Sequence, residues 1–261
     1  MPTPILMAHR GFSLDGLENT MPAFEAAVRL GLTHIETDVH ATRDGVLLAF
    51  HDAVLDRVTD RSGHIAHLDW ADVGTARVVG RRGATTGVPT LEELLGTWPQ
   101  LRVNIDVKAW PAVQPLVDVL RRTSALDRVC VTSFDDRRTA AVVRALGPRL
   151  ATSPGQRGVT RWRLGTLMSP RFAPHAITDL AARVVQPSAV ALQVPAIAGP
   201  LRVITSRSVE SAHRQGLQVH VWTVNEARTM HALLDLGVDG LISDRADVLV
   251  DVARERRSRG A

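Results

Sequence analysis

Apolar and polar positions alternate along this chain in two periods, and their succession predicts short strands separated by helices. Ile5-Leu6-Met7-Ala8 is apolar throughout and ends in His9-Arg10-Gly11, a buried strand with a sharp exit. Phe24, Ala27, Val28 and Leu30 then recur at helical spacing behind Asn19, Thr20 and Pro22, which predicts a capped helix stopped by Gly31. From His34 the period drops to two: His34, Glu36, Asp38 and His40 share one face, and Ile35, Thr37 and Val39 the other. Asp44-Gly45 reads as a tight turn, and the mostly apolar run from Val46 to Phe50 returns to deliver His51. Residues 53–89 are Arg- and Gly-rich with little periodicity, which predicts a loop with one short helix near Trp70. A short capped helix at 90–95 precedes a second two-residue period, with Val103, Ile105 and Val107 on one face and Asn104, Asp106 and Lys108 on the other. Helices over 111–124 and 135–146, strands over 129–134 and 150–152, and a helix, loop and helix over 155–187 continue the alternation. An apolar strand at 190–194, a helix at 206–214, a strand at 218–224 with His220 and Trp222 on one face, a helix at 225–236, a strand at 240–244 and a last helix complete it.

Eight strands in repeating β-then-α order predict an α/β fold, a (β/α)8 TIM barrel, in preference to an open doubly wound sheet. A single domain over 1–253 is expected, with a short irregular insertion near 53–89 and a basic, disordered tail over 254–261. At 261 residues and 45% hydrophobic content the chain can bury a large core. Its one cysteine, Cys130, lies in an apolar run and excludes an internal disulfide framework. The first residues lack the basic and apolar segments of a signal peptide, and no run approaches the roughly 18 apolar residues of a membrane span, so a soluble, cytoplasmic protein is expected. The net charge of +4 is concentrated in Arg254, Arg256, Arg257 and Arg259, a basic tail and not a basic face, so a nucleic-acid partner is not expected. Among 31 basic residues Lys108 is the one lysine, a compact point charge suited to a phosphate or carboxylate.

The barrel makes the polar strand faces informative, because strands of a parallel sheet are normally apolar on both sides. Acids on an inward face line an open mouth at the C-terminal strand ends, where barrel enzymes keep their sites. Two carboxylates about 4 Å apart repel by roughly 4 kcal/mol at an effective dielectric near 20, so something positive belongs between Glu36 and Asp38. The mouth then holds Glu36, Asp38 and Asp106 as oxygen ligands, His9 and His51 as an acid and a base, and Arg10 with Lys108 as anion contacts. Oxygen ligands without sulfur suit a hard divalent cation, Mg2+ or Ca2+. Glu18 is placed behind the site, holding His9 or Arg10, while His34 lies too deep and His40 and His220 read as packing.

His9-Arg10-Gly11, Glu18-Asn19-Thr20, Glu36-x-Asp38, Thr42-x-Asp44-Gly45, His51-Asp52, Asp56-Arg57-x-Thr59, Pro89-Thr90-Leu91-Glu92-Glu93, Asp106-x-Lys108, Trp222-Thr223-Val224-Asn225 and Ser243-Asp244-Arg245 form an ordered set over nearly the whole chain. That set resembles the glycerophosphodiester phosphodiesterase family. The resemblance implies metal-dependent hydrolysis of a small-molecule glycerophosphodiester to glycerol 3-phosphate and an alcohol. It places metal acids on Glu36 and Asp38, catalytic histidines on His9 and His51, phosphate contacts on Arg10 and Lys108, and a glycerol-packing surface on Trp222. Two departures stand out: Asp106 occupies the place of the family's usual Glu, one methylene shorter, and Leu17 that of a common proline. The Asp-x-Lys form also resembles the sphingomyelinase D barrels, which typically carry disulfides. A barrel that binds glycerophosphodiesters without turning them over is the reading of a different class, and the His9 and His51 pair speaks against it because binding needs no acid and base.

Overall fold

In the computed structural model, residues 3–167, 188–198 and 201–260 are described. Eight strands form the parallel barrel: β1 (Ile5–His9), β2 (His34–Ala41), β3 (Arg102–Val107), β4 (Val129–Thr132), β5 (Ala151–Thr152), β6 (Ala191–Pro195), β7 (Gln218–Trp222) and β8 (Gly240–Ser243). They neighbour one another in sequence order all the way round, β8 lying against β1. The bridge between Thr152 and Ala189 joins the two remaining edges, with Thr152 N donating to Ser188 O at 2.9 Å and Val190 N to Thr152 O at 3.0 Å. Among the described residues the strands alternate with helices: α1 (Met21–Arg29), α2 (Leu91–Thr97), α3 (Val113–Arg122), α4 (Asp136–Leu146), α5 (Gln156–Leu167), α6 (Ser206–Arg214), α7 (Ala227–Asp235) and α8 (Ala246–Gly260), with a further short helix in the insertion.

The helices begin where side chains can satisfy their first amides. Thr20 accepts from Ala23 N at α1, and Thr90 with Glu93 and Thr205 with Ser208 form capping boxes at α2 and α6. Their apolar stripes pack on the outward strand faces in two clusters, one around Phe24, Ile35, Val103 and Leu116 and the other around Trp162, Val219, Met230 and Leu241. The barrel interior, in contrast, carries polar side chains: Gln193 Nε2 reaches across to Asn104 Oδ1 at 2.6 Å.

Two expectations are corrected. The insertion is not a loop around one short helix. Besides the helix Trp70–Val73 it contains an antiparallel pair, Arg77–Val79 with Thr85–Gly87, and a core of its own around Phe50, Leu55, Ile65, Val73 and Val78. Its apolar residues follow no single period because they come from turns and three-residue strands. The basic tail continues α8 to Gly260, held where His231 meets Glu255 at 3.2 Å and Arg256 meets Asp235 at 2.7 Å. The second helix expected within 155–187 lies outside the described residues. Among the described residues no helix is long and apolar enough to cross a membrane.

Candidate active site

Parallel register stacks the polar residues of three strands. His9 pairs with Glu36 between β1 and β2, and Asp38 pairs directly with Asp106 between β2 and β3, so acids separated by some 70 positions share one level of the barrel. Just beyond β1 the chain turns sharply. Arg10 adopts φ 55°, with its amide on Glu36 O at 2.9 Å, and Gly11 follows at φ 79°, where a Cβ would lie 2.7 Å from the Ala23 carbonyl carbon. Only glycine fits there, and a strained residue next to it is what a turn that aims a side chain costs.

A cavity of about 440 Å³ opens at the C-terminal ends of the strands, and His9, Arg10, Glu36, Asp38, His51, Asp106, Lys108 and Trp222 all line it. Glu18 does not; it stands behind, accepting from Arg10 NH1 at 2.8 Å. Thus Glu18 holds Arg10 and not His9. His40 turns away to the His51 carbonyl at 3.1 Å, and burial pushes its pKa down to about 4. His34 rests on Thr33 Oγ1 at 2.9 Å at the start of β2, and buried His220 on Gln218 Oε1 at 3.1 Å.

Charges in the cavity are arranged in pairs. Lys108 Nζ stands between Asp38 Oδ1 at 2.8 Å and Asp106 Oδ2 at 2.7 Å. Asp38 Oδ2 lies 3.0 Å from Arg10 Nε, too misaligned for a hydrogen bond, and accepts from Asn19 Nδ2 at 3.1 Å. Burial favours the protonated form of Asp38, but Lys108 and Arg10 outweigh it and hold the carboxyl below its usual range. For Asp106 burial wins over Lys108, and its pKa rises. Glu36 is the least compensated acid: burial and the nearby Asp38 charge push it up to about 8, with His9 only partly offsetting them. Among the described residues no group of three or more His, Cys, Asp or Glu side chains forms a ready cation cage, since the ammonium of Lys108 occupies the space between two of the acids. The donor chemistry nevertheless fits a hard cation. All donors are carboxylate oxygens, Asp106 Oδ1 is buried without a partner, and the charges near Glu36 only partly offset its burial.

Both histidines are held through Nδ1 by an aspartate. His9 Nδ1 meets Asp244 Oδ1 at 2.6 Å, leaving Nε2 on the side of Glu36, 3.8 Å away. Burial works against protonation of His9, but the Asp244 hydrogen bond and the Glu36 charge outweigh it and raise the pKa. Asp244 is itself clamped by Asn225, whose Nδ2 donates to Asp244 Oδ2 at 2.8 Å while its Oδ1 accepts from Asp244 N at 3.0 Å. His51 Nδ1 meets Asp52 Oδ1 at 2.5 Å. Asp244, Asn225 and Asp52 were given no role by sequence reasoning, and Asn19 only that of a helix cap, although each lies in one of the ordered motifs. Phe134 was missed too; it lines the cavity edge-on to Trp222, with ring centroids 6.0 Å apart, and nothing in its local sequence marks it.

Residues 9–248 match the model of the glycerophosphoryl diester phosphodiesterase family. A probable glycerophosphodiester phosphodiesterase 2 of Mycobacterium tuberculosis is 43% identical over 250 residues, 95% of this chain and 90% of that protein. A glycerophosphodiester phosphodiesterase of Caldanaerobacter subterraneus is 28% identical over 96% of this chain and 98% of its own. In fold, the chain is similar to an Oleispira antarctica phosphodiesterase solved with the product sn-glycerol-3-phosphate, at TM-score 0.76, 22% identity and 97% coverage of each chain. The barrel, its ordered motifs and these likenesses lead to one statement: the chain belongs to the glycerophosphoryl diester phosphodiesterase family and is a phosphodiesterase.

Proposed function

We propose that this protein hydrolyses glycerophosphodiesters to glycerol 3-phosphate and an alcohol, using His9 and His51 as acid and base together with a divalent cation, Mg2+ or Ca2+. The observation that supports this most is the convergence of two Asp-held histidines, three carboxylates, Arg10 and Lys108 on one cavity. In this reading Glu36, Asp38 and Asp106 hold the cation, which supplies Lewis-acid polarisation of a phosphate oxygen when bound. With Nδ1 anchored on Asp244 or Asp52, each imidazole keeps Nε2 for proton transfer: one takes the proton of the attacking oxygen, the other protonates the leaving alcohol. Each such transfer contributes about 10²- to 10⁴-fold. The attacking oxygen is that of water or of the glycerol 2-hydroxyl. Arg10 and Lys108 meet the anionic phosphate, and Trp222, braced by Phe134, gives the glycerol backbone a flat wall.

One observation favours a second reading. The cavity lining includes the apolar side chains of Phe134, Val159, Leu164, Pro195 and Val203, which suit a diester whose alcohol bears a lipid chain, as in the sphingomyelinase D barrels. Release of glycerol 3-phosphate from glycerophosphocholine and glycerophosphoethanolamine, measured with EDTA, Mg2+ or Ca2+, tests the proposal. Metal-dependent release supports it. No release with any metal from folded protein refutes it and leaves a lipid diester as the substrate to try.

A further inference from the structure

We propose that Arg57, carried by the insertion, is a positioning residue that sets His51 and Arg10 relative to one another. The inference rests on the roles given above to His51 and Arg10. Asp52 presents one oxygen to His51 Nδ1 and the other to Arg57 Nε, at 2.5 Å each. The opposite edge of the same guanidinium grips Glu18, NH2 to Oε1 at 2.6 Å and NH1 to Oε2 at 3.2 Å. Glu18 Oε1 also accepts from Arg10 NH1 at 2.8 Å. A continuous path therefore runs from one histidine to the cationic residue at the opposite side of the first turn. Every contact along it has a carboxylate on one side.

Arg57 itself is half exposed, and an exposed ion pair by itself contributes little. Its two carboxylates are better covered, at 24% and 21% exposure, and both are gripped by one planar group. A guanidinium can hold two carboxylates in fixed relative orientation; an ammonium, a point charge, cannot. The mounting is stiff as well. Thr59 N and Oγ1 both donate to Leu55 O at 3.1 and 2.8 Å, Gly63 N donates to Asp56 Oδ2 at 3.0 Å, and Leu55 is buried in the insertion core. The insertion thus acts as a bracket that brings a fork to the barrel mouth.

The test uses the full chain with Arg57→Lys and Arg57→Ala, and two readouts. Turnover of glycerophosphocholine is expected to fall about 10- to 100-fold in kcat in both variants, because misplacing a reacting group by about an ångström costs on that order. Lysine does not rescue it. In substrate-free protein, the NMR signal of the His51 Nδ1–H is expected to shift or broaden, with the His9 signal unchanged. Adding Asp52→Asn to Arg57→Ala should lower kcat little further than Asp52→Asn alone, since either change cuts the same path between His51 and Arg10. Wild-type kcat in the lysine variant, an unchanged His51 signal, or factors that multiply in the double variant would each overturn the proposal. If the alanine variant fails to fold, the lysine variant carries both readouts. If wild-type protein releases no glycerol 3-phosphate, the functional reading fails, and the His51 signal still decides whether Arg57 orders that ring.

Discussion

Replacing Lys108 by methionine probes the charge balance at the centre of the cavity. Its side chain is only 17% exposed, and its ammonium lies 2.8 and 2.7 Å from two nearly buried carboxylates. At an effective dielectric near 20, each contact is worth roughly 6 kcal/mol of attraction before desolvation, so about 12 kcal/mol for both. Burying three charges takes back most of that. What remains decisive is that removing one partner strands the others, at about 3–5 kcal/mol. Lys108→Met is therefore expected to lose about 3–5 kcal/mol in urea denaturation at pH 7.5 with EDTA present. The pH dependence separates this from a packing loss. In the wild type Asp38 is held below its ordinary pKa, so its stabilisation is present above about pH 4 and lost as pH falls through the folded value. In the variant Asp106 loses its counter-charge and Asp38 keeps only Arg10, so both carboxyls bind protons more readily than in the wild type and the deficit shrinks as pH is lowered toward 5. Mg2+ or Ca2+ should restore part of the loss at pH 7.5 by supplying the missing charge. A loss below about 1 kcal/mol, or an equal loss at both pH values, would refute the reasoning.

Three further outcomes follow from the same geometry. His9→Ala and His51→Ala should each lower turnover about 10²- to 10⁴-fold with circular dichroism unchanged; near-normal turnover by either removes it from the acid–base pair. Burial holds His220 neutral, with its pKa pushed down to about 4, so its contribution is present above pH 6.5 and lost as pH falls through 4; a urea-denaturation series should show up to about 3 kcal/mol of acid destabilisation that His220→Gln removes, and an equal slope in the variant would exclude this residue. Leu55→Ala, which opens the insertion core, should cost about 2–5 kcal/mol locally, raising hydrogen exchange over residues 51–89 while β1 and β2 stay protected; global loss of protection would show that the insertion does not yield separately.

Local pattern determined much of this protein. The eight strands are short apolar or alternating runs, and their period is a property of neighbouring residues, readable without knowing what they pack against. Glu36, Asp38 and Asp106 were legible for a related reason: charged residues on the inward face of a parallel strand are too costly to bury idly, and His9, His51 and Lys108 stand at or just past strand ends beside them, so that all six line the cavity. The insertion core escaped notice because its apolar side chains converge from turns with no shared period, and the basic residues at 254–260 extend α8 because partners on other turns and on α7 hold that helix.

Only the closed barrel decided which charges meet. Lys108 stands between Asp38 and Asp106 because β2 and β3 pair in that register; a shift by one residue would turn the acids to the opposite face. Asp244 reaches His9 across 235 positions because β8 lies beside β1, and Arg57 reaches Glu18 across 39 because the insertion folds back over the first turn. Side-chain type and spacing say that a residue needs a partner. Which partner it finds depends on distances of a few ångströms between distant parts of the chain, and those exist only once the barrel has closed.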